Sequence, residues 1–150
     1  MADDQSQHQQ LPGRLIAGIG ASAGALEALE AFFEDIPQGS GIAFVVVVHL
    51  SPDHSSNLPD LIGRRTSLPA AHAEDGEEVE PGHIYVIPPD TELALMSGTL
   101  QLMPRTKEQP WLPIDSFFRT LAADAAERAI GVILSGTGTD GSLGLQAIKG

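Results

Sequence analysis

The chain has 150 residues, of which 42% are hydrophobic and 19% charged, a composition typical of one globular domain with a sizeable core. Its formal net charge of −12 argues against a nucleic-acid partner or an anionic membrane surface, because both require a basic face. The chain has no cysteine, which excludes disulfides and thiolate metal sites and fits a reducing cytoplasm. No apolar run approaches the roughly 20 residues of a membrane span, and residues 1–10 are polar, so neither membrane insertion nor a secretory signal is expected.

The first half of the chain predicts alternating strands and helices. Residues 14–20 are a short apolar run, typical of a strand, and residues 25–33 follow with the spacing of an amphipathic helix. Residues 42–48 are apolar without alternation, which predicts a central parallel strand buried on both faces. Shorter apolar segments predict three further elements: a helix at 57–65 and strands at 69–73 and 83–87.

The second half predicts a hairpin and then one more helix–strand–helix unit. Residues 92–96 and 99–103 flank Ser97-Gly98, a turn signal, so part of the sheet is expected to be antiparallel. Spacing and apolar runs then predict three elements: a helix at 114–126, a buried strand at 129–134 and a helix from 142 onward. This alternation predicts a three-layer, doubly wound α/β fold with a mostly parallel sheet and an antiparallel hairpin.

Two motifs overlap where the first predicted strand meets the first predicted helix. Residues 20–24 fit G-x-S-x-G, in which a sharp turn exposes the hydroxyl of Ser22 as a nucleophile. Residues 18–23 fit G-x-G-x-x-A, in which glycines let a dinucleotide pyrophosphate approach the start of a helix. A third interpretation makes Ser22 the N-cap of the following helix. The turn by itself does not decide among the three.

Three predicted strands end in loops that carry Ser22, His49 and Asp140. The carboxyl ends of parallel strands lie on one edge of a sheet, so these three side chains are expected to converge. A serine needs an imidazole to take its proton and a carboxylate to orient that imidazole, and this set predicts nucleophilic acyl transfer. The backbone N–H of Ala23, the residue after the nucleophile, is the expected oxyanion donor.

Other assignments of these positions stay open. His54 lies in the same predicted loop as His49 and is a rival general base, whereas His72 and His83 are expected to be structural or exposed. Asp140 follows a glycine-rich turn, so a helix N-cap is the alternative interpretation of this residue. The dinucleotide alternative is weakened because no carboxylate directly follows the second strand and no Gly-Lys-Ser/Thr phosphate loop occurs.

Four segments occur in an order that points to one family. They are residues 18–24 (GIGASAG), 47–52 (VVHLSP), 73–85 (AEDGEEVEPGHIY) and 131–141 (GVILSGTGTDG). Together they resemble the catalytic domain of the CheB-type chemotaxis protein-glutamate methylesterases. The resemblance implies a cytoplasmic hydrolase of bacterial chemotaxis signal transduction. Such an enzyme demethylates glutamate side chains of methyl-accepting chemoreceptors and deamidates certain receptor glutamines.

The resemblance also implies roles for particular residues. Ser22 is implied as the nucleophile, His49 as the general base and then the general acid, and Asp140 as the carboxylate that orients the imidazole. The backbone N–H of Thr137 is implied to assist that of Ala23 at the oxyanion. The implied reaction needs no metal ion or organic cofactor. The rival function is a catalytically silent α/β module that docks on receptors or kinases.

We expect a flexible polar tail at 1–12 and the catalytic domain at 13–150. Because the family domain continues with at least one more strand and helix, we expect a domain incomplete at its C-terminus and less stable than the whole. Residues 51–54 and 119–140 are most similar to the version fused to a CheR-type methyltransferase. This similarity implies a methyltransferase domain later in the full-length chain.

Overall fold

A computed structural model describes residues 15–22, 25–49, 57–105, 111–134 and 142–149. The predicted N-terminal tail, the loop at 50–56 after His49 and the glycine-rich segment 135–141 that contains Asp140 lie outside the described residues. Predictions about the structure of those segments therefore stay predictions.

The described residues form a regular alternation of strands and helices. In chain order the elements are β1 (Leu15–Ser22), α1 (Leu26–Glu34), β2 (Ile42–His49), α2 (Leu58–Gly63), β3 (Ala70–His72), β4 (Ile84–Val86), β5 (Thr91–Met96), β6 (Thr99–Pro104), α3 (Pro113–Ala125), a 3-10 turn (Ala126–Arg128), β7 (Ala129–Leu134) and α4 (Ser142–Lys149).

Five strands form a parallel sheet in the order β3-β4-β2-β1-β7. The central position of β2 confirms the prediction from its apolar run, and no residue from 43 to 48 is more than 7% exposed. A strand with neighbours on both sides and helices over both faces has no surface left for polar side chains, which explains the absence of alternation.

Helices cover both faces of this sheet, which confirms the predicted three-layer fold. On one face, α1 and α2 pack through Leu29, Phe33 and Ile62. On the other face, α3 packs through Phe117 and Phe118 in a second hydrophobic cluster. The two clusters draw on alternate residues of β1 and β2, because successive side chains of a strand point to opposite faces.

The hairpin β5–β6 forms a sheet of its own, so the expectation that it would join the main sheet is wrong. It packs on α3, whose side chains accept hydrogen bonds from the backbone of β5 and of the hairpin turn. The Leu95 N–H donates to Thr120 Oγ1 over 3.0 Å. The N–H groups of Ser97 and Gly98 donate to the two oxygens of Asp124 over 2.6 and 2.9 Å. The Leu95 bond occupies a strand N–H that a neighbouring strand would otherwise use, and the bonds to Asp124 hold the hairpin turn on α3.

Strand β7 differs from its prediction as a buried strand. All six of its residues are only half-buried, and it pairs with β1 alone among the described strands. Its sequence is as apolar as that of β2. Apolar composition indicates that a strand packs against helices, but it does not indicate how many strands flank it.

Candidate active site

Two of the predicted catalytic residues lie where β1 and β2 end. Ser22 and His49 are the last residues of these adjacent parallel strands, and they are paired in register. Neighbouring strands lie about 4.8 Å apart, so the backbones of these two residues are side by side at the carboxyl edge of the sheet. The predicted nucleophile and general base therefore start from neighbouring positions, although they are 27 residues apart in sequence (49 − 22).

The third predicted component follows the strand on the other side of β1. Strand β7 ends at Leu134, which is paired with Ala21, one residue before Ser22. Strand β7 therefore ends at the same edge of the sheet as β1 and β2, and α4 begins at Ser142. Asp140, Thr137 and Ala23 lie outside the described residues, so their predicted roles remain predictions.

The glycines of the first motif are explained by packing against α3. A Cβ on Gly18 would lie 2.8 Å from Phe118 Cε1, and one on Gly20 would lie 2.6 Å from Ile114 Cγ2. Real Cβ atoms do not come this close to other heavy atoms, so only glycine lets the helix approach the strand at this distance. These contacts account for the G-x-G spacing without a bound pyrophosphate. Sequence reasoning did not foresee this role.

The other histidines within the described residues do not pair with Ser22. His72 ends the edge strand β3 and is paired with Val86 of β4, which is paired with Val46 of β2. Strands β4 and β2 therefore separate His72 from Ser22. In register, His72 also lies three residues before the carboxyl edge where Ser22 and His49 stand. His83 precedes β4 at the opposite edge and stacks on Tyr85 with a centroid distance of 6.1 Å. The rival His54 lies outside the described residues.

One charged residue that was not among the predicted site residues is buried beside this edge. Asp115, in the first turn of α3, is 4% exposed and is the one buried polar or charged residue found in the described part of the chain. Its Oδ1 accepts a bond from the Gly144 N–H of α4 over 2.6 Å. The sequence did contain a signal for the burial of Asp115. This residue stands three positions before Phe118 and therefore lies on the apolar face of an amphipathic helix.

The family model for the CheB methylesterases matches residues 17–150. The chain belongs to the CheB methylesterase family. The structure agrees, because the fold resembles the catalytic domain of the CheB methylesterase of Thermotoga maritima with a TM-score of 0.79 and 30% sequence identity. That match covers 90% of this chain and 74% of the Thermotoga domain. The fold and family inferred from the four sequence segments are thus confirmed.

Curated CheB relatives carry the name protein-glutamate methylesterase/protein-glutamine glutaminase. The protein from Yersinia pestis is 35% identical over 137 residues, which are 88% of this chain and 39% of the relative. The protein from Escherichia coli K12 is 32% identical over 141 residues, which are 91% of this chain and 40% of the relative. The chain therefore spans about two fifths of the length of these relatives. No helix in the described ranges is long and apolar enough to cross a membrane.

Proposed function

We propose that this domain is the hydrolytic part of a protein-glutamate methylesterase, with Ser22 as nucleophile, His49 as general base and Asp140 as the orienting carboxylate. The observation that carries the proposal is the register between Ser22 and His49 at the carboxyl edge of the sheet. The family assignment and the names of the curated relatives support the reaction class.

The first half of the reaction forms an acyl-enzyme. The imidazole of His49 removes the proton from the Ser22 hydroxyl as its oxygen attacks the ester carbonyl of a methylated glutamate. The backbone N–H groups of Ala23 and Thr137 donate to the oxyanion of the tetrahedral intermediate. The intermediate collapses, the bond to the methoxy oxygen breaks, and His49 returns the proton so that methanol leaves.

The second half regenerates the enzyme. His49 removes a proton from water, which attacks the acyl carbonyl, and the proton passes to the departing Ser22 oxygen. The products are a glutamate side chain and free serine. With a glutamine side chain the same steps release ammonia, which corresponds to the second activity in the relatives' names. Every proton transfer uses a side chain of the protein, so the cycle needs no cofactor.

The substrates we propose are methylated glutamates on the cytoplasmic helices of chemoreceptors, which places the domain in the cytoplasm. The similarity to the fused version of the family leads us to propose in addition that a CheR-type methyltransferase accompanies this domain on the same polypeptide. Sequencing of the complete gene tests the fusion without any activity measurement.

The experiment compares methanol release from methylated chemoreceptor membranes by the wild-type chain and by Ser22→Ala and His49→Gln. Both variants are expected to lose at least about 10³-fold in rate, because the serine and histidine act as one unit. Ser67→Ala, at an exposed serine, and His72→Gln, on the edge strand, are matched controls that should keep the wild-type rate. Receptor binding with no methanol release from the wild type would instead support the silent docking module.

A further inference from the structure

We propose that a pocket at the edge where the parallel strands begin binds a small organic acid with a single negative charge, held by Arg128. The pocket has a volume of about 180 Å³ and lies among the first residues of β1 and β2, the segment 78–81 and the turn of the hairpin. Ser22 follows Leu15, which lines the pocket, by seven residues on β1 (22 − 15), or about 23 Å at about 3.3 Å per residue. The pocket is therefore separate from the candidate active site, and the inference does not depend on the hydrolytic function.

The charge that points to a ligand is that of Arg128, in the 3-10 turn before β7. This residue is partly buried and lines the pocket, and within the described residues no hydrogen bond or ion pair engages its guanidinium. Arg65 and Arg105, by contrast, are each paired with a carboxylate. Partial removal of a cation from water costs free energy unless an anion compensates it. Because the protein supplies no carboxylate to Arg128, this cation can accept one from a ligand.

The other groups around the pocket define the class of anion. Leu15, Ile16 and Val79 line it with apolar side chains, which match an alkyl group. Glu78 also lines it, and its negative charge disfavours a ligand with two negative charges, such as a phosphate monoester. A carboxylate matches the planar fork of donors on the Arg128 guanidinium. These groups together fit an aliphatic monocarboxylate.

The volume of the pocket limits the size of this ligand. One water-sized atom occupies about 10 to 15 Å³ of such a cavity, so the pocket accommodates about a dozen non-hydrogen atoms. This room suffices for a short or branched aliphatic carboxylate. It is far too small for a dinucleotide.

The walls of the pocket are held in place by hydrogen bonds between segments that are distant in sequence. The Val79 N–H donates to the Gly98 carbonyl oxygen over 3.0 Å, which joins the segment 78–81 to the hairpin turn. The Gly82 N–H donates to the Ile42 carbonyl oxygen over 2.9 Å, which joins the end of that segment to β2. A pocket whose walls are already fixed loses little conformational entropy when a ligand enters it.

The test titrates the full chain with hexanoate, hexan-1-ol and acetate and follows the backbone amide NMR signals of Val79 and Gly98. We expect saturable shifts of both signals with hexanoate. Hexan-1-ol should bind at least about 10-fold more weakly, because it offers the guanidinium no charged acceptor. Acetate should also bind at least about 10-fold more weakly, because each CH₂ group buried by hexanoate strengthens binding by up to about fourfold.

Two arginine variants provide the matched comparison. Arg128→Gln keeps most of the length of the side chain and removes its charge. It should weaken hexanoate binding by at least about 10-fold and leave hexan-1-ol binding within about twofold of wild type. Arg119→Gln is the control, because Arg119 is an exposed arginine of α3 that does not line the pocket, and this variant should bind hexanoate like wild type.

The proposal is overturned if hexanoate gives no saturable shift up to about 50 mM, a concentration that would fill even a millimolar site. Equal affinities for hexanoate and hexan-1-ol overturn the assignment of a carboxylate, and equal affinities for hexanoate and acetate overturn the role of the apolar walls. Equal effects of Arg128→Gln and Arg119→Gln overturn the role of Arg128. The comparison of the three probes uses the wild-type chain, so it decides the proposal even if Arg128→Gln does not fold.

Discussion

Replacement of Gly20 by alanine tests whether the glycines of the first motif serve packing or ligand binding. The new Cβ would lie 2.6 Å from Ile114 Cγ2 and 3.2 Å from its Cδ1. Carbon atoms in contact prefer about 3.5 to 4.0 Å, so β1 and α3 must separate locally by about 1 Å. Overpacking of this size costs about 1 to 3 kcal/mol of the free energy of unfolding.

The assay is urea unfolding of Gly20→Ala, Ile114→Ala and the double variant. Ile114→Ala alone should cost about 2 to 5 kcal/mol, because it leaves a cavity. In that background the alanine at position 20 finds free space, so we expect its added cost to fall by at least about 1 kcal/mol. Gly63→Ala is the matched control, because no atom lies within 4 Å of the new Cβ, and it should be neutral or stabilising by up to about 1 kcal/mol.

If the cost of the double variant equals the sum of the two single costs to within about 0.5 kcal/mol, the packing explanation is refuted. A stable Gly20→Ala protein that loses binding of a dinucleotide would instead favour the dinucleotide interpretation of the same motif.

Two further predictions concern stability away from the site. Burial raises the pKa of the Tyr85 hydroxyl above 10.0, so folding favours its protonated form and the free energy of unfolding should fall as the pH rises above 10.0. Urea unfolding between about pH 8 and 11 should show a smaller fall in Tyr85→Phe, and an unchanged pH slope would contradict the assignment. Asp124→Asn keeps one acceptor oxygen for the N–H groups of Ser97 and Gly98, so it should cost about 1 to 3 kcal/mol. Full retention of the unfolding midpoint would show that the carboxylate does not hold the hairpin turn.

The pattern of apolar residues within each segment was sufficient to predict where the helices and strands lie. The apolar run of β2 and the 3.6-residue spacing of α1 and α3 depend only on what each segment must bury, and that information is present in the segment itself. The pairing of Ser22 with His49 could be anticipated for a similar reason. Both residues end apolar strands, and parallel strands present such ends at one edge.

Features that depend on neighbours distant in sequence could not be predicted in this way. Nothing in the apolar composition of β7 reveals that it has a single strand neighbour, and the turn signal of the hairpin does not say which sheet its strands will join. The need for glycine at position 20 arises from its contact with Ile114, which is distant in sequence. The hydrogen bond of Asp115 likewise depends on Gly144, 29 residues later, and no local sequence pattern predicts that contact.

Reaction with a fluorophosphonate, followed by peptide mass spectrometry, tests the central claim most directly, because such a probe modifies a serine only when a base activates it. The account predicts a single modified peptide that carries the label on Ser22, with labelling lost in His49→Gln and retained in His72→Gln. Labelling of a different serine, or equal labelling of Ser22 in wild type and His49→Gln, would contradict it.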